Sequence, residues 1–336
     1  MYEQYYGFSA KPFQLKPDPN FFFGSKGHKR AMAYLEYGLS QGEGFIVITG
    51  EVGAGKTTLV RNLFRKVKSE KILAAQIVNT HLNSDDTLRM VAAAFGLPYE
   101  DASKAALLTR LEQFLRACDQ QGKRALLVVD EAQNLSPRTV EELRMLSNFQ
   151  TDDKSLLQTF LLGQPEFRKT LLSSDMQQLR QRVIATYHLG PMDATETRAY
   201  IEHRLNTVGW RGDPSVSEGA FAAIYDYSGG IPRKINTLCD RLFLMGYLEE
   251  IHDFRSSEVN EVIGDIQQEF NLPASEVEAQ NTSYLTEIEK GTDTPPNLEN
   301  MDERLSKMEK SVISVLDLLR QILSLSSVRN LPKEKS

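Results

Sequence analysis

The stretch 50–58, GEVGAGKTT, contains the residue types and spacing of a phosphate-binding loop. It fits G-x-x-x-x-G-K-[ST] and follows an apolar run, FIVIT, that is typical of a buried strand. Glycines let successive backbone N–H groups point at one polyphosphate, and a helix that begins near Lys56 adds its positive dipole end. A chance glycine-rich turn is the alternative, but strand, loop and helix fall in the order that the motif requires.

This loop predicts a site for a nucleoside triphosphate and Mg²⁺. We expect the Lys56 ammonium to reach the β and γ oxygens, and the Thr57 hydroxyl to hold the metal ion. The predicted nucleotide-binding residues of the loop are Gly50, Glu51, Val52, Gly53, Ala54, Gly55, Lys56, Thr57 and Thr58.

Two adjacent carboxylates, Asp130 and Glu131, follow a second apolar run, ALLVV. A central parallel strand of this kind delivers them to its carboxyl end, where ligands bind in open α/β sheets. We expect Asp130 to hold Mg²⁺ through water, and Glu131 to orient and polarise an attacking water. An apolar run followed by Asp-Glu is common by itself; its position downstream of the phosphate loop favours the functional interpretation.

Four more polar residues follow in positions that suit the same site. Gln164 ends a predicted strand, 156–162, where its side chain could touch the γ-phosphate or the water; a turn or helix-capping role before Pro165 is the alternative. Arg180 and Arg182 are either ordinary surface charges or arginines that complete a neighbouring subunit's site. Arg233 lies on the first turn of a predicted helix after Gly-Gly-Ile-Pro, and it either reaches the phosphates or lies on a surface helix.

Composition indicates an ordinary globular protein and gives no overall attraction to nucleic acid. The 336 residues have a net charge of -6, and the two cysteines, Cys118 and Cys239, lie in separate helical contexts that suit buried thiols. The five histidines lack metal-ligand spacing. No run approaches the ~18–20 apolar residues of a membrane span, and the start lacks a signal-peptide pattern, so we expect a cytoplasmic protein.

Changes of pattern along the chain divide it into five predicted parts. These are an aromatic N-terminal segment with a helix (1–44), an α/β core (45–192), a helical lid (193–268), a linker (269–297) and a short coiled-coil helix (298–325). The aromatic segment is predicted to be irregular; its rings either cover an adenine or pack as core. Three helices are predicted in the lid, at 195–208, 217–227 and 232–248.

The coiled-coil prediction rests on apolar residues separated by alternating steps of three and four. They are Leu298, Met301, Leu305, Met308, Val312, Val315, Leu319 and Ile322. Self-association or a partner helix is the favoured interpretation, and an amphipathic helix docked on the domain is the alternative.

Taken together, these motifs resemble those of AAA+ ATPases, and more narrowly the general-secretion-pathway protein A (ExeA-like) branch. The start, MYEQYYGFSAKPFQLKPDPNFFFGSKGHKRAMAYLEYGL, and the stretch QGEGFIVITGEVGAGKTTLVRNL are most similar to secretion ATPases of exosortase (PEP-CTERM) and exopolysaccharide loci. The resemblance covers about residues 1–265. ExeA-like proteins usually continue into a membrane span and a peptidoglycan-binding part, which the predicted linker and heptads do not match.

The resemblance implies a role for each candidate residue. It implies Walker A at 50–57, Walker B at Asp130 and Glu131, sensor 1 at Gln164, sensor 2 at Arg233, and an arginine finger at Arg182 with Arg180 as second choice. It also implies a P-loop NTPase fold, with a five-stranded parallel sheet of order 5-1-4-3-2, a helical lid and a C-terminal helical tail.

The resulting expectation is an ATP-hydrolysing, Mg²⁺-dependent homo-oligomer that acts as a motor or switch in secretion or exopolysaccharide machinery, cytoplasmic and peripheral at the inner membrane. A DNA-binding AAA+ regulator of the transposition type is the alternative. The acidic net charge and the lack of a helix-turn-helix with a basic face argue against it. A non-hydrolysing scaffold is disfavoured because Glu131 is present.

Overall fold

The structure is a computed structural model that describes residues 1–16, 18–66, 71–78, 84–152 and 154–270. The predicted coiled-coil segment 298–325, and all of the predicted linker except residues 269 and 270, lie outside these ranges.

A five-stranded parallel sheet carries the predicted site. Its strands are β1 (Phe45–Gly50), β2 (Ile72–Ile77), β3 (Arg124–Val129), β4 (Leu157–Gly163) and β5 (Val183–Leu189). Their order, β2-β3-β4-β1-β5, confirms the predicted 5-1-4-3-2 order, counted from the other edge. Every residue of the central strands β1 and β4 is buried, because helices cover both faces of the sheet.

Side chains that alternate along β1 belong to two separate apolar layers. Ile46 and Ile48 pack with helices α2 (Lys26–Gln41) and α3 (Lys56–Lys66) on one face of the sheet. Phe45 and Val47 pack on the opposite face with the remaining helices of the core. Those helices are α4 (Ser84–Ala94), α5 (Lys104–Gln120), α6 (Pro137–Leu146), α7 (Pro165–Leu172) and α8 (Gln177–Arg180).

The lid is built around its own apolar core. Helices α9 (Ala194–Thr207), α10 (Glu218–Ser228) and α11 (Pro232–Leu248) lie within a residue or so of the three predicted ones, and a fourth, α12 (Ser256–Phe270), runs past the predicted end of the lid at residue 268. Strands β6 (Ser215–Val216) and β7 (Asp253–Phe254) pair in parallel beside them. None of the helices in the described ranges is long and apolar enough to cross a membrane.

Aromatic residues of the N-terminal segment belong to the lid core. After the short helix α1 (Tyr2–Tyr5), Phe13 packs with its ring centroid 5.4 Å from that of Phe243, and the Tyr6 hydroxyl donates to the Ile251 carbonyl at 2.8 Å. Gly246 of α11 permits this close approach, since a Cβ there would lie 2.5 Å from the Tyr6 hydroxyl oxygen. Most of these rings therefore pack as core, one of the two roles proposed for them.

Truncation of Phe13 should test this packing. We expect Phe13→Ala to lower the free energy of unfolding by about 3–5 kcal/mol, because a fully buried ring is lost and a cavity remains. Leu248→Ala, at a side chain that is 70% exposed in the same domain, should change it by less than about 0.5 kcal/mol. Urea unfolding measures both. A loss of stability in Phe13→Ala as small as that in Leu248→Ala would show that the N-terminal segment does not stabilise the lid.

Candidate active site

The loop between β1 and α3 curls around the ammonium of Lys56. Gly53 (φ 82°) and Gly55 (φ 96°) have left-handed backbone conformations that favour glycine. Lys56 is 7% exposed, and its Nζ donates to the carbonyls of Gly50 at 2.7 Å and Glu51 at 3.0 Å. Burial lowers the pKa of Lys56, and the nearby Glu131 and Asp130 carboxylates counteract part of that shift.

A hydroxyl of this loop meets the carboxylate that follows β3. Thr57 Oγ1 donates to Asp130 Oδ2 at 2.8 Å, and the backbone N–H of Glu131 donates to Asp130 Oδ1 at 3.0 Å. The Asp130 N–H donates in turn to the Ile77 carbonyl of β2 at 2.8 Å, which continues the pairing of the strands past the end of β3. Hydroxyl and carboxylate oxygens are the ligands that Mg²⁺ prefers, so this pair fits a magnesium site.

The backbone of Glu131 is held in an unfavourable conformation. Its φ of 54° and ψ of 41° lie in the left-handed region, which costs a non-glycine residue about 1–3 kcal/mol. The turn that contains it begins a short 3-10 helix, Ala132–Asn134. Such conformations persist where the surrounding contacts fix them, and here they direct the Glu131 side chain to the cavity beside the loop.

Two amide side chains donate to the same oxygen of Glu131. Gln164 Nε2 lies 3.2 Å and Gln133 Nε2 lies 2.5 Å from Glu131 Oε2, and the Gln164 N–H donates to Gln133 Oε1 at 3.0 Å. Gln164 occupies the N-cap position of α7, yet its side chain makes no capping hydrogen bond. Its described side-chain contact is thus with Glu131. Gln133 belongs to none of the sequence motifs, although it lies two residues after Glu131.

These contacts determine the ionisation of Glu131. Burial alone would raise its pKa, but hydrogen bonds from Gln133 and Gln164 and the positive charge of Lys56 outweigh burial and lower the pKa below its ordinary value. The carboxylate is therefore ionised at neutral pH. The same shift stabilises the folded protein above the unfolded-state pKa, and this contribution disappears as the pH falls through the lowered pKa.

A tight turn brings Arg233 of the lid to the phosphate loop. Gly229 and Gly230 have φ values of 58° and 71°, and a Cβ on Gly230 would lie 2.0 Å from the Met192 carbonyl oxygen. Helix α11 begins directly afterwards, and the Arg233 N–H donates to the Gly53 carbonyl at 3.2 Å. The beginning of the lid helix thus contacts the loop itself.

A cavity of about 330 Å³ lies between the loop, the lid and the N-terminal segment. The phosphate-loop residues Lys56 and Thr57 line it together with Glu131 and Arg233. Residues outside the predicted site also line it: Gln14, Leu15, Lys16, Asp18, Phe21, Phe22, Phe23, His28, Met192, Tyr200, Arg204, Pro232 and Asn236. Neither Gln164 nor Asp130 lines the cavity; both contact residues that do.

Arg180 and Arg182 do not line this cavity. The guanidinium of Arg180 donates to the carbonyls of Leu171 and Ser173, each at 2.6 Å. That of Arg182 donates to the Ser147 hydroxyl and to Asn148 Oδ1. Within one chain, both arginines are therefore anchored at the end of the sheet where α8 leads into β5.

Comparison with known proteins agrees with this geometry. Residues 39–171 match the family described as AAA domain. The solved structure of Cdc6p from Pyrobaculum aerophilum aligns with a TM-score of 0.60 and 18% identity, over 76% of this chain and 70% of that one. The fold is that of an AAA+ P-loop NTPase.

A second solved structure, the Aeropyrum pernix ORC1 protein in complex with DNA, aligns with a TM-score of 0.59 and 15% identity, over 90% of this chain and 82% of that one. General secretion pathway protein A of Aeromonas hydrophila is 40% identical over 253 residues, which are 75% of this chain. The chain spans only 46% of that relative's length. The identity to this relative agrees with the ExeA-like part of the resemblance stated above, and the exosortase association stays a prediction.

Titration of Glu131 tests the effect of its amide contacts on its pKa. We expect Gln133→Ala to raise the pKa of Glu131, because the carboxylate loses a donor that favours its charged form while the burial cost remains. Gln177→Ala, at an exposed position on α8, should leave that pKa unchanged. NMR titration of side-chain carboxyl carbons measures both. A Glu131 pKa that is unmoved by Gln133→Ala would contradict the account of its ionisation.

Proposed function

We propose that the protein binds ATP in the cavity beside the phosphate loop and hydrolyses it in the presence of Mg²⁺. One observation carries the proposal: the Thr57 hydroxyl and the Asp130 carboxylate meet at 2.8 Å beside a buried lysine, and Glu131 lines the same cavity. A hydroxyl, two carboxylates and a lysine at a glycine-rich loop are the groups that phosphoryl transfer from a nucleotide uses.

The phosphates would lie along the loop and the beginning of α3. Lys56 would exchange the carbonyls of Gly50 and Glu51 for the β and γ oxygens, a short movement for a flexible side chain. Thr57 and Asp130 would hold Mg²⁺, which supplies neutralisation of the phosphate charge. The loop N–H groups and the helix dipole provide further positive potential for the same oxygens.

Glu131 would act on the attacking water. Its ionised carboxylate accepts a hydrogen bond from the water while the water oxygen attacks the γ-phosphorus. The bond from that phosphorus to the β–γ bridging oxygen breaks, so ADP and inorganic phosphate form and the proton of the water is released by way of Glu131. Gln133 and Gln164 would hold Glu131 in position, and Gln164 would serve as sensor 1 next to the γ-phosphate.

The lid would respond to the nucleotide through Arg233. This residue lies on the first turn of the lid helix, its N–H contacts the loop at Gly53, and it lines the cavity, where its guanidinium would bind a phosphate as sensor 2. The base and ribose would occupy the remainder of the cavity, between the N-terminal segment and the lid. Nucleotide binding and lid position would then be coupled.

We further propose that the active form is a homo-oligomer in which Arg182 reaches a neighbour's site, with Arg180 as the second choice. Arg182 is held by the side chains of Ser147 and Asn148, which follow α6, whereas Arg180 is held by two main-chain carbonyls. A phosphate in a neighbouring subunit would therefore replace the hydrogen-bond partners of Arg182 more readily than those of Arg180. The predicted coiled coil, 298–325, would assist the association.

In the cell, we propose that the protein drives or switches a secretion system, peripheral at the inner membrane. The support is the 40% identity to general secretion pathway protein A. An exosortase-associated exopolysaccharide system is the more specific proposal. It is supported by the amino-acid sequences of residues 1–39 and 41–63, which resemble those of secretion ATPases from such loci. Loss of exopolysaccharide export on deletion of the gene would support this, and normal export would contradict it.

Two substitutions separate binding from turnover. Lys56→Ala should abolish nucleotide binding, whereas Glu131→Gln should keep binding and lower the turnover number by a factor of about 10²–10⁴, because the proton acceptor is lost. Phosphate release measures turnover, and a fluorescent ATP analogue measures binding. Glu100→Gln, at an exposed carboxylate, is the matched control and should change neither quantity. Undiminished hydrolysis in Glu131→Gln would remove Glu131 from this role.

Mixing of variants tests the arginine in trans. Arg182→Ala alone should lower turnover by a factor of about 10³, the smaller end of the effect of an arginine finger. When the Arg182→Ala protein is mixed with the Glu131→Gln protein, activity should return. In a mixed oligomer, a site with an intact Glu131 can face a neighbour with an intact Arg182. The rate of phosphate release from the mixture is compared with the rate from each variant alone. No recovery in the mixture would contradict a contribution of Arg182 across subunits.

A further inference from the structure

His28 connects the N-terminal segment to the phosphate loop. It lies on the first turn of α2, it is 6% exposed, and its ring lies between Ser25 and the loop. Nδ1 is 2.7 Å from Ser25 Oγ, and Nε2 is 3.1 Å from the carbonyl oxygen of Ala54. The Phe22 ring packs edge-on against it at 5.8 Å. Both ring nitrogens thus have partners.

The partners determine which nitrogen carries the proton. A carbonyl oxygen only accepts hydrogen bonds, so Nε2 must carry the hydrogen that it donates to Ala54. Nδ1 then accepts from the Ser25 hydroxyl, whose oxygen also accepts from the His28 N–H at 3.3 Å and caps the helix. Burial lowers the pKa of His28, which is consistent with a neutral ring at neutral pH.

The bond to Ala54 orients the next N–H of the loop. In a planar trans peptide, the C=O and the following N–H point in opposite directions. When His28 holds the Ala54 carbonyl, the Gly55 N–H therefore points away from the ring. Gly55 lines the cavity, and in the described part of the chain its N–H donates to no acceptor.

The contact leaves no room for a side chain at Gly55. A Cβ there would lie 2.9 Å from His28 Nε2, and the φ of 96° also favours glycine. The preceding carbonyl, of Gly53, accepts from the Arg233 N–H. Two successive carbonyls of the loop are thus held from outside it, one by the lid and one by a helix that packs on the sheet.

We propose that His28 is a positioning residue for the phosphate loop: its Nε2–H holds the peptide between Ala54 and Gly55 so that the Gly55 N–H points at the phosphates of the bound nucleotide. The inference rests on the proposed function, in that a nucleotide occupies the cavity. The loop is pre-formed by this contact, so its loss weakens the binding of ADP and ATP alike.

Two substitutions of similar character distinguish this role from simple core packing. His28→Gln extends an amide N–H to about the position of Nε2, whereas the side chain of His28→Asn ends near the position of Nδ1. Calorimetry with Mg·ADP and Mg·ATP should give dissociation constants for the Asn variant about tenfold above wild type. Those of the Gln variant should lie within about threefold of wild type. Thermal melting of both variants without nucleotide is the control for folding.

Equal affinity in wild type and the Asn variant, or equal losses in both variants, would overturn the proposal. A variant that fails to fold does not end the test, because the ring tautomer of wild-type His28 can be read from ¹⁵N–¹H NMR correlations. The proposal requires the hydrogen on Nε2, and a hydrogen on Nδ1 would overturn it. Failure of the wild type to bind nucleotide would instead contradict the proposed function, while the tautomer still decides the contact with Ala54.

Discussion

A hydrogen bond across the edge of the sheet joins the two halves of the candidate site. It runs from the Thr57 hydroxyl, in the phosphate loop, to the Asp130 carboxylate at the end of β3. Strand β4 lies between β1 and β3, so the two groups meet only because parallel strands end at one edge. Gln164 follows β4, the strand between β1 and β3, and contacts Glu131. The strand order thus determines which side chains can act together.

Around this bond, each neighbouring element fixes one part of the site. The buried strands β1 and β4 hold the loop and Gln164 in register, and the apolar layers on both faces of the sheet hold α3 behind the loop. The lid contacts the loop at Gly53, and α2, which packs on the sheet, contacts it at Ala54. Rings that precede α2 pack in the lid core, so one stretch of chain joins the lid to the helix that carries His28.

Much of this arrangement could be predicted from the sequence because it is local. The glycine-rich loop follows an apolar strand directly, and the adjacent carboxylates end another, so strand, loop and helix follow from short patterns. The strand order came from the family resemblance, and the structure confirms it. The predicted roles of the site residues stay predictions, although Lys56, Thr57, Asp130, Glu131 and Arg233 lie together.

Contacts between distant parts of the chain could not be predicted in this way. Gln133 carries no motif of its own, and its importance comes from a turn with a left-handed residue at Glu131. His28 is one of five histidines without metal-ligand spacing, and nothing in its neighbours indicates that Ala54 lies beside it. The N-terminal rings were equally compatible with an adenine site and with core packing, and only the tertiary structure brings most of them to the lid.

The central claim is that one nucleotide binds between the glycine-rich loop and the carboxylate pair, with Mg²⁺ held between Thr57 and Asp130. Calorimetric titration of ATP into the purified protein, with Mg²⁺ and again with the metal chelated, tests it most directly. The account predicts one nucleotide per chain and weaker binding when Mg²⁺ is removed. Absence of binding in both titrations, or an equal affinity for ATP with and without Mg²⁺, would contradict it.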